Sequence, residues 1–406
     1  MKNKTKMKIS FGTVTITDMA KRLVADALDS GRISCGKYVR QFEKEFARLA
    51  GTKMAVAVSS GTDAVCLALA VLYDFGAKRG DEIIVPALSF VATANAVLQA
   101  GFKPVFVDID RQTLNIDALK IESAITSRTR AVVPVHLMGK PADMDAINSL
   151  AKKYRLYVIE DAAEAHGAVY KGKNVGSLGD MAAFSLYVAH IITTGEGGIV
   201  TTNKPEFAEV IRSLRSHGRA CKCEACVINT NSGYCAKRFS RSDNQDIRFV
   251  FERIGFSSKM NELEAAIGIG NLAIYNEILK ERRKNLYYLM NKFKKFSPYL
   301  VTIKKELYEE IGPHAFPFII QEQAKFTRNQ LAGYLSKKNI DSRTLFSCIP
   351  TQCWGFGFLG YKIGDFPHAE YIGNNAIHIG VHQDIGKDGC DYFIDSIEEF
   401  LSRNAK

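Results

Sequence analysis

The stretch that decides the fold is residues 179–198, GDMAAFSLYVAHIITTGEGG. Its first half contains the apolar run Met181–Ser185, and a second run, Gly198–Thr202, follows at its end. Short apolar runs bounded by Gly, Pro or Asp are typical of strands buried on both faces. The glycines between the runs predict a turn. We therefore expect two strands of a buried sheet here, with His190 in the connection between them.

The same kind of run recurs from about residue 53 to residue 203, and amphipathic segments such as Met144–Tyr154 separate several of the runs. This alternation predicts an α/β domain with a mostly parallel, seven-stranded sheet. Sites in such sheets form at the carboxyl ends of the strands, so the residues after each run are the functional candidates. The five other predicted strands are Met54–Ser59, Glu82–Pro86, Pro104–Asp108, Ala131–His136 and Leu156–Glu160.

The pattern changes after residue 205. A helix over Glu206–Ser216 is followed by a cysteine-rich insert at about 217–253, and Asn261–Phe296 predicts one long helix that links to a second domain. We expect a large cofactor-binding domain over residues 1–250, and the linking helix with a smaller C-terminal α+β domain over 251–406. In that second domain we expect a strand and two helices, at His314–Ile320, Thr327–Lys338 and Gly389–Arg403.

The composition is that of an ordinary soluble protein: 406 residues, 47% hydrophobic and 24% charged, with a formal net charge of +11. The basic residues are spread along the chain without an arginine-rich arm, which argues against nucleic acid and favours an excess of solvated surface lysines. A basic field would also favour anionic ligands such as nucleotide diphosphates. No apolar window reaches the roughly 20 residues of a membrane span. The first six residues, MKNKTK, precede no apolar segment, so we expect no signal peptide and a cytoplasmic protein.

Two further motifs directly follow predicted strands. Residues 59–63, SSGTD, stand before a helical run, where backbone amides and a glycine form an anion cradle; an ordinary turn with an N-cap has the same signature. Residues 158–164, VIEDAAE, place Asp161 at the carboxyl end of a strand. A carboxylate there either holds a heterocyclic nitrogen protonated or caps the next helix.

In this order and spacing, the three motifs resemble the fold-type-I pyridoxal-phosphate enzymes of the DegT/DnrJ/EryC1/StrS sugar-aminotransferase family, over nearly the whole chain. The block from Phe184 to Gly198 carries the strongest signal. The resemblance implies a fold-type-I pyridoxal-phosphate-dependent transferase fold and a homodimer in which partner residues complete the site. It implies that Gly61, Thr62 and Ser185 hold the cofactor phosphate. Ser257 stands where the family has an asparagine that reaches the partner subunit's phosphate.

The resemblance also assigns residues around the cofactor ring. It implies that Phe90 stacks on the ring and that Asp161 pairs with the pyridinium nitrogen, which makes the ring an electron sink. Glu164 stands where the family often has glutamine, near the ring hydroxyl. At the position of His190, the family's aminotransferases carry the lysine that binds the cofactor as a Schiff base.

The histidine at position 190 changes the expected reaction. An imidazole has no primary amine, yet it moves protons near neutral pH. Within the family, this exchange marks the 3-dehydratases, which use noncovalently held pyridoxamine phosphate to remove the C3 hydroxyl of a nucleotide-linked 4-keto-6-deoxyhexose. The implied roles of His190 are to take a proton from the amine-bearing carbon of the cofactor and to protonate the leaving hydroxyl. The implied pathway is deoxysugar biosynthesis, as for lipopolysaccharide O-antigens.

Four of the nine cysteines crowd into fifteen residues: Cys221, Cys223, Cys226 and Cys235. In a long cytoplasmic chain such crowding indicates metal more than disulfides. The segment resembles that of the dehydratase branch with a [2Fe–2S] cluster and a separate reductase, although that branch takes one ligand at the position of Ala163. Four thiolates suit [2Fe–2S], [4Fe–4S] or tetrahedral zinc. We expect an iron–sulfur cluster, and a flavin/iron–sulfur reductase as partner.

Three other functions stay open from the sequence. A sugar aminotransferase needs a lysine, and none lies within four residues of His190. A metal-free dehydratase would recycle the cofactor amine with glutamate. A non-catalytic protein would keep the fold and bind no sugar nucleotide.

Overall fold

A computed structural model of the chain describes residues 8–221, 223, 226 and 233–404. The first six residues therefore lie outside the described part, as do residues 222, 224, 225 and 227–232 of the cysteine-rich insert. The helices are α1 Asp18–Asp29, α2 Lys37–Ala50, α3 Gly61–Ala70, α4 Val91–Gln99, α5 Ala118–Ile121, α6 Met144–Tyr154, α7 Pro205–Leu214, α8 Glu262–Ala273, α9 Tyr275–Phe293, α10 Arg328–Lys337, α11 Ile349–Gln352, α12 Pro367–Asn375 and α13 Gly386–Asn404. The strands are β1 Met54–Val58, β2 Glu82–Pro86, β3 Lys103–Val107, β4 Thr129–Val132, β5 Tyr157–Asp161, β6 Val169–Tyr170, β7 Lys173–Asn174, β8 Met181–Ser185, β9 Gly198–Thr202, β10 Leu300–Thr302, β11 Glu309–Glu310, β12 Ala315–Ile320, β13 Ser342–Thr344 and β14 Ala376–Gly380.

Seven strands form the central sheet in the order β1-β9-β8-β5-β4-β2-β3. Strands β3, β2, β4, β5 and β8 pair in parallel, whereas β9 runs antiparallel to both β8 and β1. The expected α/β class and mostly parallel sheet are therefore confirmed. The predicted bounds of β2, β8 and β9 are observed, and these three strands are buried along their whole length.

Helices cover both faces of this sheet. In β1, Val56 and Val58 enter the core that contains α3 and α7, whereas Ala55 and Ala57 face the core that contains α2 and α8. Successive side chains of a strand point to opposite faces, so a strand between two helical layers must be apolar at every position. This is why the strands appear in the sequence as continuous apolar runs.

A second, antiparallel sheet has the order β10-β12-β14-β13. Helices α9, α10 and α13 pack around it, and Ile9 near the N-terminus forms a parallel bridge to Ile340 beside β13. A small three-stranded sheet, β11-β6-β7, connects the two halves of the chain. The expected domain division at residue 250 stays a prediction.

The prediction of one long helix over Asn261–Phe296 was wrong. The backbone leaves helical geometry at Ile274, with φ −110° and ψ 8°, and separates α8 from α9. Helix α8 packs on α1 and α2, which lie beside the seven-stranded sheet. Helix α9 packs on α13 and on the strands β10 and β12 of the second sheet. The first turns of α9 still pack in the core of α8, through Tyr275, Ile278 and Leu279. Its later turns pack in the other core. Within the described residues, no helix is both long and apolar enough to cross a membrane.

Candidate active site

A cavity of about 560 Å³ opens where the carboxyl ends of β5 and β8 meet the start of α3. Side chains of the second sheet close it from the other side, because Arg343 and Thr344 belong to β13 and His378 belongs to β14. The cavity brings together seven of the residues predicted from the sequence: Gly61, Thr62, Phe90, Asp161, Glu164, Ser185 and His190.

The start of α3 lies directly against the end of β8. Ser60 is the N-cap, and its hydroxyl accepts a hydrogen bond from the amide of Asp63 at 3.0 Å. A Cβ atom at Gly61 would lie 2.6 Å from Cβ and 2.9 Å from Oγ of Ser185, so only glycine permits this approach. The first amides of a helix have no partner within the helix, and together with a hydroxyl they suit a phosphate. The arrangement supplies a phosphate cradle.

Asp161 is the last residue of β5 and is buried. Its Oδ2 accepts a hydrogen bond from the Thr93 hydroxyl at 2.7 Å, and Oδ1 accepts one from the Ala163 amide at 3.3 Å. Burial raises the pKa of the Asp161 carboxyl, an effect that the hydrogen bond from Thr93 opposes. A cationic group beside a buried carboxyl favours its charged form, which is what a protonated ring nitrogen would provide.

His190 lies in the connection between β8 and β9, where its amide donates to the carbonyl of Tyr187 at 2.9 Å. The residue is half-buried, and its Nδ1 is buried and has no hydrogen-bond partner in the part of the chain that the structure describes. Burial, with smaller contributions from His166 and Arg282, lowers the pKa of His190 to about 3. The ring is therefore neutral at physiological pH and can accept a proton. Among the described residues, no lysine lines the cavity.

Glu164 and Phe90 also line the cavity. The Oε2 atom of Glu164 accepts a hydrogen bond from the Met138 amide at 2.7 Å, and burial raises the pKa of Glu164 to about 8. Phe90 directly precedes α4; the residue is 57% exposed, and its ring centroid lies 5.5 Å from that of Phe346. An exposed aromatic ring in the lining of the cavity is suited to stack on a heterocycle.

Ser257 lies outside the cavity. It is exposed and forms a β-bridge with Ser216, and the carbonyl of the next residue, Ser258, accepts a hydrogen bond from the Ser59 amide at 3.1 Å. Its segment therefore runs beside the loop that leads into α3. Its predicted contact with the partner subunit's phosphate stays a prediction.

The four clustered cysteines also lie away from the cavity lining. All four are half-buried free thiols. Burial raises the pKa of the Cys223 thiol, and its neighbours Cys221 and Cys235 raise it further. Within residues 8–221, 223, 226 and 233–404, no three His, Cys, Asp or Glu side chains are arranged to hold a metal ion. The thiols are thus neighbours with suitable donor chemistry, and a metal cluster on them stays a prediction.

The cavity fits pyridoxal or pyridoxamine phosphate. The cradle at Gly61 and Ser185 suits the phosphate, and the buried Asp161 carboxyl suits the ring nitrogen. The apolar side chains of Val135 and Leu137 line the wall and offer contact surface to the ring. The assignment of individual residues to the cofactor stays a prediction.

The cavity lining also contains residues that the sequence did not predict, among them Phe11, His314, Arg343 and His378. The guanidinium of Arg343 stacks on the Phe11 ring at 3.7 Å, and the Phe11 ring lies 5.3 Å from that of His378. The one available signal was the position of His314 at the boundary of an apolar run. Nothing local in the other three positions indicates a site, because they reach the cavity through the packing of the second sheet on the first.

This sheet, its helical layers and its cavity define a fold-type-I pyridoxal-phosphate-dependent enzyme. The chain belongs to the DegT/DnrJ/EryC1/StrS aminotransferase family, whose model matches residues 14–398. The family inferred from the three motifs is thereby confirmed.

Three named relatives are similar to this chain over most of its length. A dTDP-4-dehydro-2,6-dideoxy-D-glucose 3-dehydratase from Saccharopolyspora spinosa is 35% identical over 405 residues, covering 97% of this chain and 86% of that protein. A lipopolysaccharide biosynthesis protein from Salmonella typhimurium is 31% identical over 394 residues, covering 94% and 89%. The solved structure of E. coli GDP-4-keto-6-deoxy-D-mannose-3-dehydratase with bound hydrated PLP matches with a TM-score of 0.84 at 31% identity, covering 96% of this chain and 99% of that one.

Proposed function

We propose that this protein is a pyridoxamine-phosphate-dependent 3-dehydratase of a nucleotide-linked 4-keto-6-deoxyhexose. One observation carries the proposal: a neutral, half-buried imidazole, His190, lines the cavity of a fold in which an aminotransferase needs a lysine. The names of two relatives, each a 3-dehydratase of such a sugar, support it. The relative in lipopolysaccharide biosynthesis supports a place in the synthesis of O-antigen deoxysugars.

When bound, pyridoxamine phosphate supplies a primary amine for the sugar ketone and a ring that accepts electrons. Gly61, Thr62 and Ser185 hold its phosphate at the start of α3, where the amides and the hydroxyl converge. Asp161 holds the ring nitrogen in its protonated form and so stabilises charge that develops in the ring. Phe90 would stack on the ring, and Glu164 would lie near the ring hydroxyl.

His190 moves the proton. Its Nδ1 is buried and has no hydrogen-bond partner among the described residues, and the ring is neutral, so this nitrogen is open to take the proton from carbon. A histidine cannot bind the cofactor covalently, so the cofactor depends on the contacts of the cradle and of Asp161 for its affinity. Loss of the C3 hydroxyl then needs a proton at the leaving oxygen.

The substrate carries a nucleotide diphosphate, and the field of a chain with a net charge of +11 favours such an anion. Arg343 supplies a guanidinium at the cavity, on the side of the second sheet. A homodimer in the cytoplasm, with Ser257 turned to the partner subunit, completes the proposal. The exposed position of Ser257 supports that role.

We further propose that the protein binds an iron–sulfur cluster on four cysteines, Cys221, Cys223, Cys226 and Cys235. A separate flavin/iron–sulfur reductase supplies its electrons. The proximity of Cys223 to Cys221 and Cys235, and the thiolate donor set, support it. Anaerobic purification with iron, sulfide and zinc analysis tests it. Iron with sulfide supports electron supply through this segment. Zinc, or activity with glutamate alone and no metal, selects the metal-free route instead.

The central test uses the native chain and His190→Ala with pyridoxamine phosphate and two probes, GDP-4-keto-6-deoxymannose and dTDP-4-dehydro-2,6-dideoxyglucose. We expect the native chain to remove the C3 hydroxyl of one of them, and His190→Ala to lose at least about 100-fold in rate while it still binds the cofactor. Equal activity of the variant contradicts the proposal. Transfer of the amine to the sugar, or fixation of pyridoxal phosphate to the native chain by borohydride, selects an aminotransferase.

A further inference from the structure

Two imidazoles and a carboxyl group lie together in the wall of the cavity. The ring centroids of His190 and His314 are 5.2 Å apart, and Nε2 of His314 is 3.6 Å from Oε1 of Glu164. The Nδ1 atoms of both imidazoles are buried, and neither has a hydrogen-bond partner among the described residues. Buried polar atoms normally have partners, so unpartnered nitrogens in a cavity indicate groups kept for a ligand or a proton.

Hydrogen bonds at main-chain atoms fix the position of His314, and none of these bonds involves its imidazole ring. Arg282 donates hydrogen bonds to the carbonyls of Pro313 and His314, at 3.0 and 3.1 Å. The amide of His314 donates to the carbonyl of Gly312 at 2.8 Å. The guanidinium thus anchors the start of β12 through main-chain atoms, and it makes no hydrogen bond to the imidazole.

A hydrogen bond from a main-chain amide also orients the side chain of Glu164. Its Oε2 is occupied by the Met138 amide, so Oε1 is the oxygen that faces His314. Burial raises the pKa of Glu164 to about 8 and lowers the pKa of His314 well below its usual value. The other groups that face His314, namely His190, Arg282, His378 and His166, lower it too. At neutral pH the transferable proton of this pair therefore lies on the carboxyl group.

We propose that Glu164 and His314 form a proton relay that delivers a proton to the C3 hydroxyl as it leaves, while His190 takes the proton from carbon. This assignment rests on the function proposed above and deepens it. The family resemblance implied that His190 makes both proton transfers. In this proposal His190 takes the proton from carbon, and the Glu164–His314 pair protonates the leaving hydroxyl.

The transfers balance without an outside acid, oxidant or reductant. The Glu164 carboxyl gives its proton to Nε2 of His314, and Nδ1–H of His314 gives its proton to the hydroxyl. The C3–O bond breaks with its electron pair on oxygen, so water leaves, and the electron pair of the broken C–H bond moves toward the sugar. His314 stays neutral with its proton now on Nε2, and Glu164 becomes a carboxylate. The proton held by His190 then returns through His314 to Glu164.

The first test needs no cofactor and no substrate. Nitrogen-15 NMR of the imidazoles reports which nitrogen of His314 carries the proton. We expect Nδ1–H below about pH 8 and Nε2–H above it, because the ionised Glu164 then accepts a hydrogen bond from Nε2. In Glu164→Gln this change of tautomer with pH should vanish. A native chain whose His314 signal does not change between pH 7 and pH 9 overturns the relay.

The second test separates the two proton transfers in the pyridoxamine-loaded enzyme. In D₂O, deuterium uptake at the amine-bearing carbon reports the step at His190, and deoxygenated sugar reports loss of water. For His314→Gln and for Glu164→Gln we expect uptake within about threefold of native but deoxygenation slower by about 100-fold or more. His190→Ala should lose both. The matched control is His382→Gln, a buried histidine beside Arg282 that does not line the cavity and should keep both rates.

The outcomes are distinct. A His314→Gln or Glu164→Gln enzyme that deoxygenates at the native rate, or that loses uptake and deoxygenation in equal proportion, overturns the relay and leaves the proposed function standing. A native enzyme that shows neither reaction with GDP-4-keto-6-deoxymannose or dTDP-4-dehydro-2,6-dideoxyglucose refutes the proposed function, and the relay with it.

Discussion

Replacing Gly61 with alanine adds a single atom, the Cβ, between the start of α3 and Ser185. The variant tests whether the phosphate cradle at this point binds the cofactor. The new Cβ would lie 2.6 Å from Cβ of Ser185 and 3.1 Å from its Cα, and both of these atoms belong to a buried strand. The strand end cannot yield easily, because β8 pairs with β5 on one side and with β9 on the other. The start of α3 must therefore move away from Ser185, which separates the helix amides from the hydroxyl.

The expected cost follows from the contacts that this shift removes. One hydrogen bond to a charged group contributes about 1.5–3 kcal/mol, which corresponds to a loss of about 10- to 150-fold in affinity. Calorimetric titration of the ligand-free chain with pyridoxamine phosphate measures it directly. Because no lysine tethers the cofactor in this site, we expect the whole loss to appear in the dissociation constant.

Gly333→Ala is the matched control for this prediction. Gly333 lies within α10, is exposed, and a Cβ there would meet nothing within 4 Å. This alanine should leave cofactor affinity unchanged and stabilise the helix by about 0.5–1 kcal/mol. If Gly61→Ala binds pyridoxamine phosphate within threefold of the native chain, the cradle does not hold the phosphate and our assignment of α3 is wrong.

Three other predictions concern stability, measured by urea unfolding of the ligand-free chain. Glu43→Ala should cost about 3–5 kcal/mol, because it leaves the guanidinium of Arg215 buried without its carboxylate. Asn261→Ala should cost about 1 kcal/mol, because it removes the capping box of α8. Glu164 keeps its proton up to about pH 8 in the folded chain and up to about 4.5 when unfolded, so stability should fall by about 1 kcal/mol from pH 7 to pH 8; Glu164→Gln should abolish this fall.

Each of these predictions has a control or a contradicting result. Asp18→Ala removes an exposed ion pair with Lys21 and should leave the unfolding midpoint in place, in contrast to Glu43→Ala. An unchanged midpoint in Asn261→Ala would mean that tertiary packing alone fixes the start of α8. If the free energy of unfolding of Glu164→Gln still falls between pH 7 and pH 8, another buried group titrates in this range.

Much of the site was predictable because its residues follow the strands of the first sheet in the chain. Asp161 and Ser185 end β5 and β8, and Gly61 begins α3 directly after β1. Strands buried on both faces are apolar throughout, so their ends are visible in the sequence, and the carboxyl ends of parallel strands meet at one edge. The local pattern is therefore sufficient to place these residues together.

The second sheet was not visible in the same way. His314, Arg343 and His378 reach the cavity because β12, β13 and β14 pack toward the first sheet, and no local periodicity records that contact. The break at Ile274 is of the same kind, since helical periodicity continues on both sides of it. Only the tertiary structure shows that the chain turns there and carries the later turns of α9 into the core around the second sheet.

The sequence by itself determined the α/β class, the family and the imidazole at position 190, because each depends on residue identity and short-range spacing. Tertiary structure alone decided that His190 has His314 and Glu164 as neighbours, and that these groups line one cavity. The physical reason is that burial and proximity between segments distant in the chain set the pKa and the partners of a side chain. Neither quantity is encoded by the residues on either side of it.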